Sequence, residues 1–158
     1  SGKVGQAQGY INDVYGMLDS LGLKFYSENR MLNIVLNDKL KGLLPGQLEC
    51  NMGDVSLDFL SDLDVITVFA NLLDNALEAG EGMEGFWVKL RGERIQDFTV
   101  VRVWNRCREG YVPGQSGKKG HEGLGLENVG QAVRKYHGEM HVECGDGVFT
   151  VTIMFPGP

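Results

Sequence analysis

At 158 residues and a net charge of −6, the chain is long enough to close one ordinary core and too acidic to read a phosphate backbone, so nucleic-acid binding is excluded. Its 42% hydrophobic and 23% charged residues describe a soluble globular domain, and no run approaches the roughly 18 apolar residues that span a bilayer. Cys50, Cys107 and Cys144 are odd in number and far apart in sequence, which suggests free thiols rather than a disulfide framework or a zinc knuckle.

The first element is an expected helix with apolar residues at Val4, Ala7, Ile11, Val14, Leu18 and Leu21, a 3-4-3-4-3 seam of the coiled-coil kind. Gly5, Gly9 and Gly16 weaken it alone, so it needs a partner, and Gly22 closes it. A second helix is expected from about Glu28 to Leu43, with Ser27 as N-cap and Pro45-Gly46 as the stop. Residues 47–53 read as a short strand. A helix from about Val65 to Ala79 follows, capped by Asp62 or Asp64 and ended by Gly80 and Gly82. Residues 86–94 and 97–105 are β-branched and aromatic and read as a hairpin. Residues 106–122 are polar, contain Pro113 and hold no periodicity, so they read as a loop. A helix over 124–138 ended by Gly138, then strands on either side of Gly145-Asp146-Gly147, complete the chain.

Three stretches carry chemistry. In "NLLDNALEAGEG" (71–82), Asn71, Asp74, Asn75 and Glu78 fall on one helix face, with Val65, Ile66, Phe69, Leu72, Leu73, Ala76 and Leu77 on the other. An ordinary solvated stripe explains such a face, but those stripes favour Lys and Glu, whereas Asn disfavours helix interiors. No basic residue between 63 and 88 pairs with it. In "HEGLGLENVG" (121–130), Gly123 and Gly125 bare backbone N–H groups where a helix begins, a natural phosphate seat. A tight turn explains these glycines equally well, and the G-x-G-x-x-G dinucleotide fingerprint fails because Asn128 stands at its third glycine. Asn105 ends the strand "VVRVWN", where a side-chain amide offers both an acceptor and a donor to a ring edge such as adenine's.

Taken together, the three resemble the GHKL (Bergerat) ATP-binding superfamily, and within it the catalytic domains of sensor histidine kinases. "NLLDNALEA" resembles the N box, "GLGLENV" the G2 box and "TVTIMFP" the closing strand, over roughly residues 45–156. "ENRMLNIVLNDKL" (28–40) resembles the peptide-pheromone quorum-sensing branch. The resemblance implies an α+β, two-layer sandwich with a mixed, mostly antiparallel sheet and an N-terminal helical lead-in. Residues 1–43 would be a remnant of the dimerisation region and 45–158 the ATP-binding domain. It also implies ATP and Mg²⁺, with Asn75 as metal ligand and Asn71 in support, Asn105 on adenine, Gly123, Leu124, Gly125 and Leu126 framing the triphosphate, and Glu78 on the same face. Residues 106–122 would be the ATP lid.

One departure accompanies the match. Most histidine kinases read adenine with an Asp in a D-x-G-x-G box; here Asn105 is followed by Arg106-Cys107-Arg108. A neutral amide binds less firmly than a carboxylate, so weak ATP affinity is expected. Hydrolytic relatives place a Glu at the Asn71 position as general base; an amide there favours transfer over hydrolysis. Of the three histidines, His121, His137 and His141, none lies on the N-terminal helix where the family keeps its phosphoacceptor. His137 and His141 are four apart but separated by Gly138, which argues against a metal pair. The expectation is a cytoplasmic kinase domain of a membrane-anchored protein, meeting the membrane only through segments outside this chain. It would form a homodimer in the full kinase, serve a response regulator and be unable to autophosphorylate alone. The alternatives are a degenerate non-catalytic signalling module and an anti-sigma-type protein-serine kinase.

Overall fold

The computed structural model describes residues 24, 26–53, 55–112 and 124–157. The expected helix over Val4–Leu21, the lid residues 113–122, His121 and Gly123 lie outside the described residues. Among the described residues, three α-helices, α1 (Arg30–Leu40), α2 (Asp62–Ala79) and α3 (Leu124–Lys135), and one 3-10 turn (Pro45–Gln47) accompany five strands: β1 (Leu48–Asn51), β2 (Val88–Ile95), β3 (Phe98–Arg106), β4 (Glu139–Gly145) and β5 (Val148–Pro156). The sheet order is β1-β2-β3-β5-β4. Only β1 runs parallel to its neighbour, with Leu48 opposite Val88; the other pairs are antiparallel. This is the mixed, mostly antiparallel α+β sandwich that the element order implied.

The helices cover one face of the sheet. Val88 and Leu90, Val101 and Val103, Phe149 to Phe155 in alternation, and α2's Val65, Phe69, Leu72, Leu73 and Ala76 close a single core. Each buried Val, Leu, Ile or Phe among them contributes about 1.5–3 kcal/mol. Leu32, Leu36 and Leu40 of α1 enter the same core. Ile66, expected on the apolar side, is instead 39% exposed.

The helix ends differ in detail from the expectation. The N-cap of α1 is Asn29, whose side chain accepts from Leu32 N, and the helix stops at Leu40. Ser27 serves Asn33 instead: the buried Asn33 Oδ1 accepts from the backbone N–H groups of Tyr26 and Ser27 at 3.0 and 2.8 Å, and its Nδ2 donates to Ser27 O. Asn37 similarly holds Lys24. The amides of "LNIVLND" therefore pin the entering chain. The N-cap of α2 is Ser61, not Asp62 or Asp64; both acids sit in the first turn, where the dipole favours them. Gly80 ends α2, and the ring of Phe86 fills the place its Cβ would take.

Asp64 does more than complement the dipole. It is 7% exposed and accepts from Lys135 Nζ at 2.9 Å and from the Tyr136 hydroxyl, joining the start of α2 to the end of α3. The Tyr136 hydroxyl and then Lys135 hold its carboxyl below the ordinary 3.8. A carboxyl with a lowered folded-state pKa contributes stability above its unfolded value and loses it as pH falls through the folded value. In urea titrations, the deficit of Asp64→Asn relative to wild type should therefore be full near neutral pH and diminish only as pH falls below 3.8 towards the lowered folded-state value. A deficit independent of pH would show that the carboxylate charge is immaterial.

The end of α3 is a Schellman motif: Gly138 N donates to Val133 O and His137 N to Arg134 O, both at 3.0 Å. The left-handed residue is His137 (φ 63°), whereas Gly138, expected to end the helix, is a glycine for another reason, close packing. His137→Gly should raise stability by about 1 kcal/mol by relieving the left-handed strain, seen as a rise of a few degrees in Tm. An unchanged or lower Tm would refute that account. The β4–β5 hairpin turns at Asp146 (φ 55°) and Gly147 (φ 75°), the left-handed pair its tight two-residue turn requires.

Candidate functional site

The amides of α2 do not share one environment. Asp74 leaves the set: its Oδ1 lies 2.9 Å from Lys39 Nζ on α1. The expectation that no cation pairs with this stripe is corrected, because the partner comes from another helix rather than from residues 63–88. Asn71, Asn75 and Glu78 remain half-buried on the other side.

Asn71 donates from Nδ2 to Thr67 O at 2.6 Å, one turn back, which leaves its Oδ1 aimed across to α3. There a Cβ built on Gly125 would stand 3.4 Å from that oxygen. The first turn of α3 and the amide helix thus meet at Asn71 and Gly125, the two motifs expected to share a site. Leu126 packs partly against the core and Leu124 is 53% exposed. The first turn of α3 also holds an acidic residue, Glu127.

Asn75 is engaged by a residue that sequence reading passed over. The Tyr111 hydroxyl donates to Asn75 Oδ1 at 3.2 Å, and the Tyr111 ring meets Phe149 edge-on at 5.5 Å. Burial first, and then the charge of Glu78, push the Tyr111 phenol above its ordinary range, so the hydroxyl stays a donor at neutral pH. Tyr111 sat in a stretch without periodicity, and only its aromatic character in a polar loop could have marked it.

Asn105 is 1% exposed at the end of β3. Its Nδ2 donates to Arg106 O at 3.0 Å. Asn105 Oδ1 and Asn75 Nδ2 are the two buried side-chain polar atoms without a hydrogen-bond partner among the described residues. Such an atom costs about 1–3 kcal/mol, so each calls for a partner, whether a bound water or a ligand. An aspartate at this position would have no donor for the Arg106 carbonyl, which the Asn105 amide supplies.

The thiols also gather more closely than their spacing suggested. Cys144 Sγ donates to Tyr111 O at 3.4 Å, and the Cys107 thiol is raised by burial and then by the neighbouring Cys144. All three cysteines are free, and burial pushes Cys50 up to about 11. Among the described residues no group of three or more His, Cys, Asp or Glu is placed to hold a metal ion. No described helix is long and apolar enough to cross a membrane.

A family model for the GHKL domain matches residues 60–156. No curated protein matches the chain. Solved structures do. The nucleotide-free catalytic domain of the histidine kinase ThkA is 20% identical, with a TM-score of 0.56 over 80% of this chain and 89% of that one. The histidine kinase domain of the Erythrobacter litoralis EL346 blue-light-activated kinase is 19% identical, with a TM-score of 0.55 over 90% and 69%. The kinase domain of the E. coli osmosensor EnvZ is 18% identical, with a TM-score of 0.54 over 83% and 86%. At these identities the likeness is one of fold.

Proposed function

The chain belongs to the GHKL domain family, and from that premise we propose that it is the ATP-binding catalytic domain of a sensor histidine kinase. It would hold Mg²⁺·ATP for transfer of the γ-phosphoryl to a histidine other than His121, His137 and His141, and thence to a response regulator. The observation that carries this reading is the pair of buried, partnerless amide atoms on Asn75, in the stretch that resembles the N box, and on Asn105, at the strand end where most histidine kinases place their adenine-reading Asp; both lie within the matched domain.

The residues fit the groups in question. Asn105 Oδ1 would accept from the adenine amino group, while its Nδ2 stays on Arg106 O. Asn75 would be the metal ligand: a half-turn of its amide exchanges oxygen and nitrogen, and a hard cation takes an amide oxygen. Mg²⁺, when bound, neutralises phosphate charge. Asn71 Oδ1 is aimed at the first turn of α3, where it would orient a water or a phosphate-side donor beside Gly125. No carboxylate occupies position 71, so a general base for water is missing there, and Glu78 would be left with at most a slow hydrolytic role. Residues 106–122 would form the lid. Residues 1–43 would be a helical remnant of the dimerisation region of a homodimer.

The rival reading, a signalling module that keeps the fold without nucleotide, draws on one observation: Tyr111 already occupies Asn75. Calorimetric titration with a non-hydrolysable ATP analogue, with and without Mg²⁺, decides between them. Saturable binding strengthened by Mg²⁺ is expected; no binding at millimolar nucleotide would replace the kinase by the inert module.

A further inference from the structure

The segment that closes the site does so with an aromatic ring. Its backbone is fastened to the fold at three points, Cys107 N to Gly147 O (2.8 Å), Arg108 N to Ala79 O (3.4 Å) and Cys144 Sγ to Tyr111 O (3.4 Å), and is tightened internally by Tyr111 N to Arg108 O (3.0 Å). This places the Tyr111 side chain, 8% exposed, between Asn75 and Phe149. Phe149 is the residue directly opposite Asn105 in the β3–β5 register. The ring therefore spans from one family amide to the strand neighbour of the other. Asn75 Nδ2 and Asn105 Oδ1 are sealed from solvent. An atom with no accessible surface takes a ligand only after something covering it moves.

We propose that Tyr111 is an intramolecular stand-in for the nucleobase: its ring fills part of the space adenine would take, its hydroxyl holds Asn75, and nucleotide must displace it. This deepens the nucleotide reading above and rests on it. A phenol and a purine share the needed form, an apolar plate with a polar edge. The segment from Arg106 to Val112 itself walls an open groove of about 840 Å³, completed by Met83, Trp87 and Cys144 to Val148, so free space for its displacement lies directly beside it. The consequence is autoinhibition by mass action, because apparent affinity is the intrinsic affinity scaled by the fraction of molecules with the ring out. Loss of the hydroxyl leaves Asn75 Oδ1 buried without a donor in the closed form only, and so favours opening.

The test is calorimetric titration with Mg²⁺ and a non-hydrolysable ATP analogue on wild type, Tyr111→Phe and Tyr111→Leu, with thermal unfolding verifying that each is folded. Tyr111→Phe should lower the Kd by about fivefold or more, and Tyr111→Leu by at least as much. In wild type labelled with fluorotyrosine, the signal assigned by its absence from Tyr111→Phe should shift on nucleotide addition. Equal or weaker binding by folded Tyr111→Phe, or an unmoved fluorine signal at saturation, overturns the proposal while leaving nucleotide binding intact. Absence of binding by all three proteins overturns the nucleotide reading, and this proposal with it.

Discussion

Asn75→Ala is expected to weaken Mg²⁺-nucleotide binding by about 10- to 100-fold, the loss that follows removal of a contact to a charged group. The measurement is the same titration, and the decisive comparison is with stability. The wild-type amide has a buried Nδ2 with no partner and a single bond from Tyr111 to its oxygen. Truncation removes the orphaned donor along with that bond, so the unfolding free energy should change by less than about 1 kcal/mol. Large loss of ligand with little loss of fold marks a residue kept for binding. A structural amide behaves in the opposite way: Asn33→Ala would strand the N–H groups of Tyr26 and Ser27. The two Tyr111 effects also couple. Without the Asn75 oxygen there is nothing for the hydroxyl to hold, so the gain from Tyr111→Phe should vanish in the Asn75→Ala background. Additive effects would separate Tyr111 from Asn75.

Gly138→Ala is expected to cost about 3 kcal/mol, the upper range for overpacking. A Cβ at this position would lie 2.5 Å from Met154 O, 2.8 Å from Val133 Cγ1 and 3.1 Å from Phe155 Cδ1. Two of these are core side chains with no exposure. The third is backbone in the β4–β5 ladder, where Met154 pairs with Glu139, so relief requires shifting the strand. Because total stabilities are about 5–15 kcal/mol, such a loss removes a large fraction of the whole. Urea unfolding should show a lower midpoint with an unchanged m-value, and Tm should fall by roughly 6–12 °C. A midpoint within error of wild type would mean that α3 and β4 separate more easily than their packing indicates.

The contrast between the amides of the two helices shows where sequence reading reaches its limit. Asn33 and Asn37 on α1 and Asn71 and Asn75 on α2 are each four residues apart in apolar helices, and their spacing is the same. Asn33 and Asn37 have their polar atoms taken by the chain segment before α1, while Asn75 keeps an unpartnered atom. Asp74 looked like a member of the site until Lys39, far away in sequence, proved to be its partner. Ser61 prevailed over Asp62 and Asp64 as N-cap because its side chain stands where Asp64 N needs an acceptor. His137 took the left-handed position expected of Gly138, because the tight contact with Met154 O had the stronger need for a missing Cβ.

By itself the sequence determined the local and periodic features: the class of each α-helix and β-strand among the described residues, the hairpin at Asp146-Gly147, the acidic net charge, and the motif pair that points to the GHKL family. These depend on side-chain period and turn chemistry within a few residues, and both are written along the chain. Only the tertiary structure decided which polar groups are satisfied, because partners such as Lys39 for Asp74, Arg106 O for Asn105 and Tyr111 for Asn75 are assembled by packing. A hydrogen bond is settled within about 3 Å, a scale on which sequence separation carries no information.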